Sequence, residues 1–140
     1  MNKILIIILL CLVGKFADAQ FLVNYHQSNL SFVGVGCEIN DRVLPELRLA
    51  GNVALENFSP ELVVSYQFVE QELFEYYAGI GIRVNIDDGV VLPTGLNIYP
   101  FEEKRFGFHI EAAPIFLLPV DDDANLIFRT SAGIRFRFTE

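Results

Sequence analysis

Lysine is almost missing from this chain. Lys3, Lys15 and Lys104 are its three occurrences, and the first two fall in an N-terminal leader. Soluble β-proteins usually spread lysine over their wetted faces, so its scarcity argues against a large solvated strand surface. Basic charge is short as a whole, with 10 Lys+Arg against 18 Asp+Glu. Phosphate recognition needs a basic face, so nucleic acid is set aside as a partner. Cysteine is equally sparse. With Cys11 in the leader, Cys37 has no mate for an intramolecular disulfide, and its place on an apolar strand face suits a small hydrophobe better than a reactive thiol. After the leader, no apolar run approaches the roughly 20 residues of a transmembrane helix. A membrane role would therefore fall to strands.

Residues 1–19 read as a secretory signal peptide. Lys3 supplies the positive start, Ile4–Val13 is an unbroken apolar run, and Ala17-Asp18-Ala19 offers a small-x-small cleavage site before Gln20. Leu10 precedes Cys11 where a lipoprotein signal needs a small residue, which removes a lipid anchor. Losing Lys3, Lys15 and Asp18 leaves 8 basic and 17 acidic residues, a formal charge of −9. Residues 20–140 have room for one domain.

What is present is alternation. In Leu73–Ile86, Phe74, Tyr76, Ala78, Ile80, Ile82, Val84 and Ile86 form one face, while Glu75, Tyr77, Gly79, Gly81, Arg83 and Asn85 form the other. Side chains change sides at every residue of a strand, so this is a β-strand with one apolar and one polar, small-residue face. The same split predicts eight strands over 20–26, 30–39, 43–55, 61–70, 73–86, 89–100, 104–118 and 124–138, joined by short polar turns. The fold class is all-β, an eight-stranded antiparallel up-and-down barrel.

Alternation alone does not separate a soluble lipocalin-like barrel, with its apolar face inward around a small hydrophobic ligand, from a membrane barrel turned inside out. Three features favour the membrane version. Gly34, Gly36, Gly79, Gly81, Gly95, Gly107 and Gly133 lie on the polar face. Glycine weakens a solvated strand but suits the cramped interior of an eight-stranded barrel. Strand cations are arginine, which suits fixed, paired positions. Finally, Tyr66, Phe68, Phe74, Tyr76, Phe106, Phe108, Phe136 and Phe138 approach one end of an up-and-down barrel, as an interfacial aromatic girdle would.

With the leader, the eight amphipathic strands and the closing Ile134-Arg135-Phe136-Arg137-Phe138, the chain resembles the small eight-stranded outer-membrane barrels of the OmpA and OmpX type. That resemblance implies an outer-membrane location, recognition by the barrel-assembly machinery, contact with outer-membrane lipid, and short turns on the periplasmic side. Phe138 is followed by Thr139 and Glu140, whereas such barrels end on the aromatic. The outer connections are also short, which removes the long loops that adhesion and receptor roles use.

The inward faces carry Glu38, Glu46, Glu75 and Glu111 against Arg48, Arg83, Arg129 and Arg135, with His109 among them. Buried charges must pair or be hydrated. Strand order places Glu111 near the Arg129–Arg135 stretch and lets Arg48 reach towards Glu38. A plugged lumen without steady conduction follows. Pro93 and Pro114 cannot donate to a ladder, and a bulge or an early end to pairing is expected beside them. Asp121-Asp122-Asp123 reads as a solvated acidic turn, since consecutive carboxylates diverge and lack the spacing of a calcium loop. His109 with Glu111 reads as lumen packing. No nucleophile motif surrounds Ser65 or Ser131. No cofactor, metal site or reaction is expected. The expected protein is a monomeric outer-membrane barrel with a structural or interaction role.

Overall fold

Period-two alternation becomes strand geometry throughout the chain, because each inward position is small or polar and each outward one apolar. The computed structural model describes residues 20–29, 31–50, 58–85, 88–118 and 126–138. Residues 1–19, read as a signal peptide, the third strand beyond Ala50, Asp121–Asp123, Thr139 and Glu140 lie outside these residues. The elements are β1 (Gln20–Gln27), β2 (Phe32–Glu38), β3 (Val43–Ala50), β4 (Glu61–Glu70), β5 (Phe74–Arg83), β6 (Gly89–Val91), β7 (Thr94–Ile98), β8 (Phe106–Leu117) and β9 (Leu126–Phe138).

From β1 to β5 each strand pairs antiparallel with the next, β6 and β7 both pair with β5 and β8, and β9 pairs with β8 and returns to pair with β1. The sheet is thereby closed, with no edge left to pair elsewhere. Segments β6 and β7 are two pieces of one strand, so nine segments make an eight-stranded barrel. The strands are staggered. A row that starts at Leu22 runs through Gly36, Glu46, Val63, Gly81, Val91 and Ile115 to Ile127, which lies past the Ala132 that meets the end of β1. Such stagger is what tilts the strands of a closed barrel. At the tight connection before β3, Asn40 and Asp41 take positive φ (52° and 56°), a conformation these two residue types tolerate.

The proline seam meets expectation in part: strand pairing is interrupted at Leu92 and Pro93, between β6 and β7, but no bulge forms there. The register does not shift across the gap: Val91 faces Gly81 on one side and Thr94 faces Ala78 on the other. The Gly79 amide donates to the Pro93 carbonyl at 2.8 Å, and the Leu92 amide to that of Pro114 at 3.0 Å. Each proline omits only its own donor, so the ladder loses bonds without slipping. The irregularity lies instead in β4, where pairing shifts between Gln67 and Val69. Gly79 and Leu92 each keep half of a two-bond pair. Their amides are expected to exchange with deuterium faster than those of the intact pair Gly81 and Val91. Equal protection in a hydrogen-exchange experiment would contradict this.

The faces settle the orientation. Outward-pointing Ile80 and Ile110 are each 59% exposed, while inward-pointing Arg48 and Arg135 are each 2% exposed. A soluble lipocalin-like arrangement would reverse these values. The outward aromatics make a band at the end bearing Gln20 and Phe138, where Tyr66–Phe68, Phe106–Phe108 and Phe136–Phe138 stack edge to face at 5.0–5.3 Å. Phe21, directly opposite Phe138, joins that band. The aromatics are not confined to one end, however. Phe116 and Phe128, both exposed, sit towards the opposite end of the last hairpin.

Candidate functional site

Among the described residues, chemistry-bearing side chains converge in the lumen. Tyrosine, arginine, glutamate and histidine project inward from all sides, made possible by inward glycines. Gly34 is the clearest case: a Cβ there would collide with the Glu46 carboxylate, itself 1% exposed. The polar side chains form three tiers along the barrel axis.

Towards the loop end, Arg48 is the hub. Its Nη1 and Nη2 donate to the two carboxylate oxygens of Glu111, each at 2.8 Å. It also reaches Glu61 at 3.2 Å and Glu46 at 3.3 Å. Arg129 makes a second fork onto Glu61, at 2.8 and 2.9 Å. In a closed ring of eight strands, β3 lies diametrically opposite β8, and β4 opposite β9. Arg48–Glu111 and Arg129–Glu61 therefore each cross the full lumen. Forked pairs of this kind are short, directional and costly to break. Phe32 sits among them, with the guanidinium carbons of Arg129 and Arg48 at 4.7 and 5.4 Å from its ring centroid.

In the middle tier, Glu46 accepts from Asn24 at 3.0 Å and contacts His26 at 3.3 Å. Asn24 in turn accepts from Arg135 at 2.8 Å. Tyr77 donates to Glu111 at 2.7 Å. His109 meets His26 at 2.8 Å. Towards the end bearing Gln20 and Phe138, Arg137 donates to Glu38 at 2.6 Å, and Tyr99 bridges Arg137 and Glu75 at 3.2 and 2.9 Å. Lys104 closes this tier, 3.4 Å from Glu75 and 3.3 Å from Glu70.

Of the nine residues expected in a lumen network, Glu38, Glu46, Arg48, Glu75, His109, Glu111, Arg129 and Arg135 enter it. Arg83 is half-buried and has no ion pair among the described residues. The pairing differs from expectation. Arg48 does not meet Glu38: Gly34 faces Arg48, and Glu38 lies four residues further along β2, about 13 Å away at the rise of a strand. Glu38 takes Arg137 instead. Glu111 reaches Arg129 only at 3.7 Å, and its main partner comes from across the barrel. Arg135 bonds Asn24 rather than a carboxylate.

Beyond the expected residues the network takes in Asn24, His26, Glu61, Glu70, Tyr77, Tyr99, Lys104 and Arg137. Glu61 and Arg137 stood on recognised polar faces and needed only to be counted. Asn24 and His26 lie on β1, where Phe21, Leu22 and Val23 are apolar in succession and blur the two faces, and His26 is the last residue of the predicted strand 20–26. The signal was the alternation of Leu22, Asn24 and His26 against Phe21, Val23 and Tyr25.

Among the described residues, no group of three His, Cys, Asp or Glu side chains is placed to hold a metal ion. Ser65 and Ser131 point inward, buried and without a hydrogen-bond partner, so no base is set against either hydroxyl.

A closed eight-stranded antiparallel barrel with an apolar exterior and a charged interior is a transmembrane β-barrel, and this chain has that fold. The comparisons agree. The N-terminal β-barrel domain of Pseudomonas aeruginosa OprF is similar at a TM-score of 0.64 and 15% identity, covering 86% of this chain and 96% of that one. The de novo designed TMB2.3 is similar at a TM-score of 0.60 and 14% identity, covering 87% and 94%. No protein-family model and no curated protein matches the sequence.

Proposed function

We propose that this protein is a monomeric outer-membrane barrel with a structural or interaction role and a plugged lumen. On this reading it catalyses no reaction, takes no cofactor, and meets outer-membrane lipid and, during biogenesis, the barrel-assembly machinery. The observation that carries the plug is the Arg48–Glu111 fork, which joins diametrically opposite strands in a lumen already lined by eight. Arg129–Glu61 makes a second bar beside it. On their loop side, the space bounded by Phe32, Arg48, Ser59, Glu61, Arg83 and Arg129 amounts to about 10 Å³, too little for a file of waters. The outer-membrane assignment rests on the fold together with the leader and the closing aromatic strand.

Planar-bilayer recording tests the plug. The purified barrel is expected to insert at neutral pH without steady conductance. A stable open pore in the unmutated protein would end this reading. Fractionation tests location, with the expected result that the protein partitions with sarkosyl-insoluble outer membrane.

A further inference from the structure

One row of lumen positions runs Glu75, Asn97, His109, Gly133, His26 and Phe32, each opposite the next on successive strands. Gly133 stands between the two histidines, and a Cβ there would lie 2.8 Å from Cε1 of His109. The absent side chain lets the rings meet, with centroids 4.1 Å apart and His109 Nε2 2.8 Å from His26 Nδ1. Both rings are buried, at 0% and 1% exposure.

The direction of hydrogen bonding along this contact is set by its far end. The neighbour of His26 Nε2 is the Glu46 carboxylate, which only accepts, so Nε2 carries the proton. A neutral His26 then offers a bare Nδ1, and His109 donates to it from Nε2. His109 Nδ1 is left as a bare acceptor with no side chain or backbone donor. Asn97, its cross-strand neighbour, likewise has neither side-chain atom hydrogen-bonded. The charged groups facing the pair are Glu46 and Arg48 from β3, Glu111 from β8 and Arg135 from β9. Tyr77 from β5 stands behind Glu111.

We infer that Glu46, His26 and His109 form an acid-sensitive latch on the lumen plug, an inference that rests on the plugged reading above. The first proton enters at the free Nδ1 of His109 and leaves the contact intact, because His109 Nε2–H still donates to His26. A second proton takes the lone pair of His26 Nδ1. Both facing nitrogens then carry hydrogen, and two imidazolium ions are pressed together at a 2.8 Å contact. Arg48 and Arg135 add to the repulsion, while Glu46 and Glu111 oppose it but are already engaged by Arg48. The rings must part. His26 is stacked on Phe32 at 4.1 Å, so its displacement reaches the aromatic ring that Arg129 and Arg48 flank at the loop end. The sign is fixed: the latch is closed with neutral histidines and released as pH falls.

The test records the whole protein in planar bilayers at about pH 7.5 and about pH 3, well clear of the ordinary histidine range on both sides. The unmutated barrel is expected to be nearly silent at the higher pH and to open at least about tenfold more often at the lower. The variant carrying His26→Gln and His109→Gln is expected to lose that response. A barrel silent at both values, or an acid response that persists in the variant, overturns the latch and leaves the plug standing. Steady conductance at neutral pH overturns the plug itself. Imidazole ¹⁵N spectra of the unmutated barrel give a readout independent of the variant's folding. Both rings are expected neutral, protonated at Nε2, at neutral pH; a charged ring or the opposite tautomer there rules the latch out.

Discussion

Placing arginine at Ile80 is expected to destabilise the folded barrel in vesicles by about 2–4 kcal/mol, the cost of a cationic side chain on the lipid face near the bilayer midplane. Ile80 lies within β5, points outward and is 59% exposed, so the new guanidinium would enter hydrocarbon without a partner. Ile110→Arg on β8, equally exposed, should behave alike. Gly81→Val, one residue from Ile80, should fail for a different reason. A Cβ at Gly81 already approaches the Leu62 carbonyl oxygen to 2.6 Å and Val63 Cγ2 to 2.7 Å, so the larger side chain overfills the lumen wall. Denaturant titration in bilayers separates the cases: the arginine penalty should shrink in thinner bilayers, and the packing penalty should not. If Ile80→Arg leaves the barrel as stable as before, the outward face does not meet lipid.

Removing the hub of the lumen should cost more than removing any of its partners. Arg48→Met leaves Glu46, Glu61 and Glu111 facing each other without their shared cation, and each is 3% exposed or less. Stripping one member from a buried ion cluster typically costs about 3–5 kcal/mol, because the remaining charge stays desolvated and unpaired. Here Arg129 still neutralises Glu61, but Glu46 keeps only neutral partners. Arg48→Lys should recover part of the loss. An ammonium restores the charge, yet it cannot span both oxygens of Glu111 as the guanidinium does at 2.8 Å each. The informative double variant is Arg48→Met with Glu111→Leu. Replacing both partners with apolar side chains should destabilise less than Glu111→Leu and Arg48→Met do separately when added. Additive effects would mean that the fork carries no coupling.

The strand faces were legible in the chain because alternation is a local property. The pleat sends Glu75, Tyr77 and Gly81 one way and Tyr76, Ile80 and Ile82 the other, whatever the neighbouring strands do. The count of eight strands and the inside-out arrangement followed from the same pattern, once glycine on the polar face and the scarcity of lysine were weighed. β1 resisted because Phe21, Leu22 and Val23 are apolar in succession and neither face carries a charge, and His26 went unrecognised with it. The prolines misled only over the bulge. Pro93 and Pro114 do remove donors, but pairing on both sides of each holds the register that a bulge would have relieved.

By itself the sequence determined which residues face inward, that those residues are charged in both signs, and that the exterior is apolar. Tertiary structure alone decided which charge meets which. Adjacent-strand reasoning pointed Arg48 at Glu38, but closure and stagger brought Glu111 from the opposite wall and sent Arg137 to Glu38. A side chain's direction is fixed by its own backbone, whereas a partner across a lumen depends on the register of every strand between them.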